Sequence, residues 1–299
     1  MAKGYVLYNL KAGHGTTIED VKHLEVLVED PLGFFDVAHI NDYKVFLEGI
    51  SLEDYIIICG GDGTLNRFVN DIEGIDFKNE ILYYPLGTGN DFANDLGYPK
   101  ASNLFLITKY LKNLPYVLVN NKKYRFINGV GYGIDGYCCE VGDELKKTAT
   151  KPVNYTAIAI KGLLFHYKPT NAKITVDGVS HTYEKVWLAP TMNGRFYGGG
   201  MIPTPNQNRG SKDKTLSIMV LHNSSKLKVL TVFPSIFKGE HIKHTEMVDV
   251  LTGHEITVEF DRPTTLQIDG ETISGVTSYS VVSAKSNTKR ATFVETAVV

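Results

Sequence analysis

The chain has 299 residues, of which 43% are hydrophobic and 21% are charged, and its formal net charge is -2. This length suits one large or two medium globular domains, and the composition excludes a disordered chain. A net charge so close to zero does not support a strongly basic nucleic-acid-binding protein, so no nucleic-acid partner is expected.

Cysteine usage and hydrophobic runs indicate the compartment. Cys59, Cys138 and Cys139 lack the CxxC spacing of zinc sites and are expected to be reduced thiols. No signal region precedes the first strand-like segment, and no apolar run reaches the roughly 18–20 residues that a spanning helix needs. We therefore expect a cytoplasmic protein that meets any lipid substrate at the membrane surface.

The first third of the chain alternates between strand-like and helix-like segments. Tyr5–Leu10, Tyr55–Cys59 and Ile81–Pro85 are apolar runs, and the second is β-branched almost throughout. Such runs are typical of parallel strands buried on both faces, with crossover helices between them. The pattern predicts a Rossmann-like α/β domain with a parallel sheet over residues 1–118.

Beyond about residue 115, short apolar-polar alternations predict an antiparallel β-sandwich over residues 119–281. The predicted strands are Tyr124–Val130, Ala172–Val176, Lys185–Ala189, Leu216–Leu221, Glu255–Phe260 and Thr265–Ile268. Asp177-Gly178 and Asp269-Gly270 are predicted turns between them. Glu140–Leu164 and Ser224–Lys238 are predicted to be helical.

A glycine-rich loop, Gly60–Asn66, follows the second predicted strand and leads into a predicted helix over Leu65–Asn70. Glycines let the backbone approach a ligand closely, and a helix N-terminus presents free N–H groups to phosphate. Asp62 would repel a phosphate unless a cation lay between them, so Mg²⁺ is expected.

A second loop, Pro85–Ala93, leaves the next predicted strand and again combines two glycines with a threonine, an amide and a carboxylate. Neighbouring strand ends converge on one crevice in an open α/β sheet, so the two loops together predict a nucleotide-phosphate site. The alternative is that both are tight turns with capping side chains. Neither loop has the lysine of a P-loop or the dinucleotide-binding spacing.

The motifs GGDGTLN and PLGTGNDFA resemble those of the diacylglycerol kinase catalytic family, which includes sphingosine and ceramide kinases and soluble bacterial lipid kinases. The first motif is shared with NAD kinases, whereas the second favours the lipid branch. The resemblance extends through Phe126–Asp135, Tyr197–Met201 and Gln267–Glu271, and so covers the chain from Asn9 to Glu271.

The resemblance implies the roles of individual residues. ATP would be bound by the first domain through Asn9, Lys11, Gly13, Gly60, Gly61, Asp62, Gly63, Thr64, Asn66, Gly87, Thr88, Gly89 and Asn90. Glu271 would be the general base with Asp269 beside it, and Asp62, Asp91 and Asp135 would act through Mg²⁺ and water. The last residues, 282–299, would return to the first domain.

A structural Mg²⁺ is also implied by the resemblance. Its ligands would be the Asp213 side chain and backbone carbonyls of the segment that includes Gly210 and Thr215. Lys214 stands where the family usually has glycine and adds an ammonium group to the site. The alternative is an exposed polar turn.

The predicted activity is ATP-dependent phosphorylation of the hydroxyl of diacylglycerol, or of a related lipid, to give phosphatidic acid at the inner membrane face. The alternatives are an NAD kinase acting on a soluble substrate, and an inactive nucleotide- or lipid-binding protein. Two basic stretches with interleaved apolar residues, 146–168 and 226–244, are candidate lipid-contacting surfaces; alternatively they are solvated helix faces over a core. A homodimer is compatible with these features.

Overall fold

The computed structural model describes residues 2–9, 17–98, 104–146, 158–159, 161–162 and 166–284. Within these residues no helix has both the length and the apolar character needed to cross a bilayer. The described strands form two sheets, one within residues 4–106 and the other within residues 116–282.

The first domain is a five-stranded sheet with short helices. Its elements are β1 (Gly4–Tyr8), α1 (Ile18–Lys22), α2 (Leu24–Leu27), β2 (Leu32–Asp36), α3 (Tyr43–Glu48), β3 (Tyr55–Gly60), α4 (Asp62–Asp71), β4 (Glu80–Pro85), α5 (Asp91–Asp95), β5 (Phe105–Leu106) and α6 (Thr108–Leu111). The strand order is β2-β1-β3-β4-β5. The first four strands are parallel, as predicted, whereas the two-residue β5 is antiparallel to β4, so the sheet is mixed.

Strand β3 explains why the sheet is buried on both faces. Ile56 and Ile58 pack into one hydrophobic cluster, and Ile57 packs into another on the opposite face. Alternate side chains of a strand point to opposite faces, so an unbroken apolar run requires cover on both sides. The carboxyl ends of β1, β3 and β4 therefore emerge side by side at one edge of a rigid layer.

The second domain is an antiparallel sheet of ten strands. Its elements are β6 (Tyr116–Val119), β7 (Lys122–Arg125), β8 (Gly129–Tyr132), α7 (Ile134–Lys146), β9 (Thr170–Val176), β10 (Val179–Val186), β11 (Thr191–Met192), β12 (Leu216–Leu221), α8 (Lys226–Val232), two 3₁₀ turns (Phe233–Lys238 and His241–Lys243), β13 (Val248–Gly253), β14 (Glu255–Ile268) and β15 (Glu271–Val282). The main order is β13-β12-β11-β8-β14-β15-β6-β7, and β9 pairs with both β10 and β14. The antiparallel second domain is confirmed.

Several predicted elements have different limits in the structure. The predicted strand Tyr124–Val130 is divided into β7 and β8, because the N–H groups of Ile127 and Asn128 donate to a carboxylate instead of a neighbouring strand. The two predicted strands between residues 255 and 268 are one long strand, β14.

The helical predictions also shift. The helix predicted from residue 140 begins earlier, as α7, and most of its predicted second half lies outside the described residues. The segment Ser224–Lys238 is helical as predicted, with Ser225 as the N-cap of α8 and Pro234 at the start of the 3₁₀ turn that follows.

The predicted boundary near residue 118 falls within β6, which pairs with β15 in the second sheet. The predicted return of residues 282–299 to the first domain lies outside the described residues except for 282–284. In that remainder, the Ser283 N–H donates to the His254 carbonyl, and His254 lies between β13 and β14 of the second sheet.

Candidate active site

The two predicted glycine loops lie against each other at the carboxyl ends of β3 and β4. The Leu86 N–H donates to the Gly60 carbonyl at 2.9 Å, which joins the two loops at their start. A Cβ atom on Gly87 would lie 2.5 Å from the Cα of Gly61, so any larger residue at position 87 would push the two backbones apart. The loops therefore pack backbone to backbone, as the common strand edge predicts.

Asp62 connects the first loop to the second. Its carboxylate accepts hydrogen bonds from the N–H groups of Asp91 and Phe92, both at 2.9 Å, at the start of α5. The N-cap residue of α5, Asn90, is left-handed (φ 49°), and its amide donates to the Gly87 carbonyl instead of capping the helix. Asp62 thus supplies the cap that α5 lacks.

Asp91 reaches from the first domain to the second. Its two carboxylate oxygens accept hydrogen bonds from the N–H groups of Gly199 and Gly200, both at 2.8 Å. Burial raises the pKa of Asp91 to about 7, and the nearby Asp62 carboxylate adds to this effect, while the two glycine N–H groups oppose it. The pair of carboxylates is therefore a focus of incompletely compensated negative charge.

The Asp269-Gly270 turn lies beside α4. Both residues have positive φ angles (47° and 96°), and the flanking Ile268 and Glu271 are paired, as in the predicted two-residue hairpin. The buried Asp269 carboxylate accepts hydrogen bonds from the Ile127, Asn128 and Gly129 N–H groups and from the Asn66 amide; the last is 2.8 Å long.

These contacts make Asp269 the residue that joins the β14–β15 hairpin to α4. Burial raises the pKa of Asp269, although its four donors work in the opposite direction. Its hydrogen bond to Asn66 anchors the hairpin to the helix that follows the first glycine loop. Glu271 is exposed and lies two residues further on, just beyond the anchored turn.

Asn128 is a site residue that sequence reasoning missed. Its side-chain amide donates to the Asp62 carboxylate at 3.1 Å, its own N–H donates to Asp269, and its side-chain oxygen accepts from Arg209 at 2.9 Å. It belongs to the motif Phe126–Asp135, so its position in a family-like segment was the available signal. Its role as a bridge between two carboxylates was not readable from that motif.

A buried ion-pair cluster holds α5 to the second domain. Asp95 accepts hydrogen bonds from Arg209, which is also buried, and from Nε of the partly exposed Arg195 at 2.8 Å. Burial alone would raise the pKa of Asp95, but Arg209 and Arg195 outweigh it and the pKa is lowered. No local motif marks these residues, because Asp95 lies 100 or more positions from each arginine along the chain.

Asp135 makes its contacts within the second domain. The Tyr197 hydroxyl donates to its carboxylate at 3.3 Å, and a Cβ on Gly131 would lie 1.6 Å from one of its oxygens, so residue 131 must be glycine. Burial raises the pKa of Asp135 to about 6. Since Tyr197 begins the loop whose glycines bind Asp91, Asp135 supports that loop from behind.

Of the remaining predicted nucleotide ligands, the structure describes Asn9 and Thr88. Asn9 follows β1, whose Tyr8 pairs with Cys59 of β3, so Asn9 lies at the same sheet edge as the first glycine loop. Thr88 is exposed on the second loop. Lys11 and Gly13 lie outside the described residues.

The two loops suit a nucleotide and a divalent cation. The Thr64 hydroxyl and the Asn90 side-chain oxygen are buried without a hydrogen-bond partner, and a Cβ on Gly63 would meet nothing within 4 Å. Mg²⁺ is commonly bound by one or two carboxylates together with substrate phosphates, which matches the Asp62–Asp91 pair. Across the described ranges, no cluster of three or more His, Cys, Asp or Glu side chains could hold a metal without such help.

The loop predicted to hold a structural Mg²⁺ makes several hydrogen bonds to the rest of the chain. The Lys214 ammonium donates to the Arg209 carbonyl at 3.0 Å, and Lys214 itself is left-handed (φ 54°). The Thr215 carbonyl accepts from Gln207 at 2.7 Å, and the Asp213 carbonyl contacts the His254 ring at 2.9 Å. Asp213 is exposed, and Gly210 donates to Asn208. The Mg²⁺ site at Asp213, Gly210 and Thr215 therefore stays a prediction, and Lys214 is the residue that would compete with the ion.

Comparison with known proteins agrees with this geometry. The family profile described as "Diacylglycerol kinase catalytic domain" matches residues 3–114, and the one described as "YegS C-terminal NAD kinase beta sandwich-like domain" matches residues 128–285. The chain belongs to the diacylglycerol kinase catalytic family. Membership of this family supports a lipid kinase that uses ATP.

Individual relatives are distant but extend over most of the chain. The diacylglycerol kinase of Mycobacterium tuberculosis is 27% identical over 261 residues, which cover 85% of this chain and 81% of the relative. A crystal structure of a diacylglycerol kinase from Bacillus anthracis superimposes with a TM-score of 0.63 at 23% identity and covers 94% of each chain. At that identity the structural likeness supports the fold alone.

Proposed function

We propose that the protein transfers the γ-phosphoryl group of ATP to the free hydroxyl of diacylglycerol, giving phosphatidic acid, with Mg²⁺ as the metal. The observation that carries this proposal is the contact between the two glycine loops, with Asp62 hydrogen-bonded across to Asp91 and Phe92. It supports one shared phosphate site with an acidic side chain on each loop.

The phosphates of ATP would lie against the start of α4. This helix has ten residues, and its N-cap, Gly61, has no side chain to satisfy the free N–H groups of the first turn. These groups, the backbone of Gly87–Asn90 and the Thr88 hydroxyl offer donors to phosphate oxygens. Asn9 would extend the nucleotide site along the same edge, and Lys11 and Gly13 stay predicted ATP ligands.

Asp62 and Asp91 would hold Mg²⁺. Bound there, the ion would neutralise charge on the phosphate oxygens. The rest of the work falls to the chain itself: Asn128 holds the Asp62 carboxylate through a 3.1 Å hydrogen bond, and Gly199 and Gly200 hold Asp91.

Glu271 would accept the proton of the substrate hydroxyl. As the hydroxyl oxygen bonds to the γ-phosphorus, its proton passes to the Glu271 carboxylate and ADP leaves with the electrons of the broken P–O bond. Asp269 would act as a positioning residue, because its own oxygens are occupied by four donors. Glu271 is exposed, so an alcohol that arrives from a membrane could reach it. We propose that the protein is cytoplasmic and acts at the inner membrane face.

A substrate panel tests the proposal. Purified protein would be given γ-labelled ATP and Mg²⁺ with diacylglycerol, ceramide, sphingosine or phosphatidylglycerol in mixed micelles, or with NAD in solution. We expect label in phosphatidic acid and little in the other products. Labelled NADP instead would replace the lipid kinase proposal with an NAD kinase.

The matched variants are Glu271→Gln and Glu259→Gln, which change glutamates of the same hairpin. Glu259 is exposed on β14 and pairs with Lys173 at 3.1 Å. We expect Glu271→Gln to lose about 10²–10⁴-fold in kcat, the usual contribution of a general base, and Glu259→Gln to keep its activity. Equal activity of both variants would remove Glu271 from the mechanism.

A further inference from the structure

The helical segment at Lys226–Lys238 buries one of its faces in the second domain. It consists of the seven residues of α8 followed by the six residues of the 3₁₀ turn. Val229, Val232, Phe233 and Ile236 pack into a cluster with residues of α7 and with Trp187. This face therefore belongs to the core of the second domain, and the opposite, exposed face needs a separate explanation.

That opposite face carries a row of four residues, here called the apolar stripe: Leu227, Thr231, Pro234 and Phe237. Their spacings of four, three and three place them on one side of an α-helix that tightens into a 3₁₀ turn. Leu227 is 76% exposed and Phe237 is 36% exposed. The Thr231 hydroxyl donates to the Leu227 carbonyl at 3.0 Å, so the only hydroxyl of the stripe is occupied by the helix itself.

Positive charge surrounds the apolar stripe. Residues 226–246 contain four lysines and two glutamates. Lys238 is exposed at one end of the stripe and Lys226 at the other, while the glutamates pair with Lys243 and Lys228. Exposed apolar side chains flanked by a surplus of lysines are complementary to the surface of a bilayer that contains anionic lipid.

The segment is also joined to the candidate active site. The Ile202 N–H donates to the Ile236 carbonyl at 3.0 Å. Ile202 directly follows the Tyr197–Met201 loop, whose Gly199 and Gly200 bind Asp91. The short segment of residues 199–202 therefore contacts Asp91 at one end and the helical segment that carries the apolar stripe at the other.

We propose that the apolar stripe is the surface by which the protein docks on anionic phospholipid bilayers. This inference rests on the proposed function, because it assigns the face from which the lipid kinase meets its substrate. Leu227 and Phe237 insert among the lipid chains, and Lys226 and Lys238 contact the headgroups.

Vesicle sedimentation without ATP tests the docking surface independently of catalysis. Vesicles of phosphatidylcholine with 30% phosphatidylglycerol, or of phosphatidylcholine alone, would be mixed with the wild type, Leu227→Glu or Leu52→Glu. Leu52 is the matched control because it is 73% exposed and lies in the first domain. We expect Leu227→Glu to weaken binding to the anionic vesicles about tenfold and Leu52→Glu to leave it unchanged.

The same proteins would be assayed on a short-chain diacylglycerol dissolved below its micellar concentration. We expect equal turnover of this soluble substrate and equal melting temperatures. Phe237→Ala provides a second variant that keeps the segment uncharged, with a smaller loss of vesicle binding in the same direction. If Leu227→Glu binds vesicles as well as Leu52→Glu, or if wild type prefers neutral vesicles, the docking surface is wrong. Turnover of the soluble substrate would still leave the proposed kinase activity in place.

Discussion

Helix α5 carries two buried aspartates, one at each end, and both reach the second domain by different chemistry. Asp91 is bound by the uncharged N–H groups of Gly199 and Gly200, and its pKa is raised to about 7. Asp95 is bound by the guanidinium groups of Arg209 and Arg195, and its pKa is lowered. The same residue type thus serves two purposes four positions apart: the compensated charge of Asp95 holds the two domains together, and the uncompensated charge of Asp91 is left able to attract a cation.

The largest effect is expected from breaking the compensated end. Arg209→Met leaves Asp95 buried with only the partly exposed Arg195, so we expect the free energy of unfolding to fall by about 3–5 kcal/mol in denaturant titrations. Arg67→Met is the control, since Arg67 pairs with Asp71 on the surface at 3.6 Å and should change stability by less than about 1 kcal/mol.

The double variant Asp95→Asn/Arg209→Met sharpens this test. Removing both charges takes away the unpaired carboxylate, so the double variant should be more stable than Arg209→Met alone. Equal stability of the Arg209 and Arg67 variants would contradict a fastening role for this cluster.

At the uncompensated end, Asp62→Asn removes one of the two charges and keeps one side-chain oxygen, which can accept from only one of the two N–H groups of α5. We expect kcat to fall by about 10²–10³-fold, the size of effect typical for the loss of one preorganised electrostatic group. Asp76→Asn, which changes an exposed acid of the first domain, should have no effect. Retention of full activity by Asp62→Asn would break the proposed role of the pair.

The pH dependence of stability should have opposite signs at the two ends of α5. With its pKa raised from 3.8 to about 7, Asp91 keeps a proton in the folded state that the unfolded chain releases. The contribution of Asp91 to the free energy of unfolding is therefore fully present below about pH 4 and is lost as the pH rises to about 7. In EDTA, the wild type should lose melting temperature relative to Asp91→Asn across this interval.

Asp95 should behave in the opposite way. Because the pKa of Asp95 in the folded state lies below 3.8, its contribution to the free energy of unfolding is present above pH 4 and is lost as the pH falls below 4. If the melting temperatures of the wild type and Asp91→Asn change equally with pH between pH 4 and 7, the two ends of α5 do not differ as described.

The smallest effect concerns the loop with Lys214, where an ammonium group already contacts a backbone carbonyl. We expect neither MgCl₂ nor EDTA to move the melting temperature of the wild type in the absence of nucleotide. Lys214→Gly releases the Arg209 carbonyl and removes an ammonium group from the residue next to Asp213, so Mg²⁺ should raise the melting temperature by about 2–4 °C, and Asp213→Asn in that background should abolish the rise. A response of the wild type that depends on Asp213 would reverse this interpretation.

Elements whose signal is local could be predicted from the sequence. The apolar run at Ile56–Ile58, the glycines at the two strand ends and the Asp269-Gly270 turn are each readable within a few residues, and each has the predicted structure. The meeting of the two loops also followed, because adjacent parallel strands end at the same edge. The residue roles taken from the family resemblance stay predictions.

What could not be predicted depends on contacts across long stretches of chain. Asp95 and Arg209 are separated by 114 positions, and nothing in either neighbourhood indicates the other. Asn128 bridges two carboxylates that arrive from opposite halves of the protein. The Mg²⁺ loop was inferred from its family-like residues, whereas its state depends on where the Lys214 side chain reaches.

The cap of α5 has a consequence for how the protein folds. Since Asp62 supplies this cap from 29 positions earlier in the chain, the five-residue helix has no local means of starting. It can form only after β3 and β4 have paired and brought the two loops together. The nucleotide-facing edge should therefore be assembled late in folding and protected last in pulse-labelled hydrogen exchange, well after the amides of the central strands.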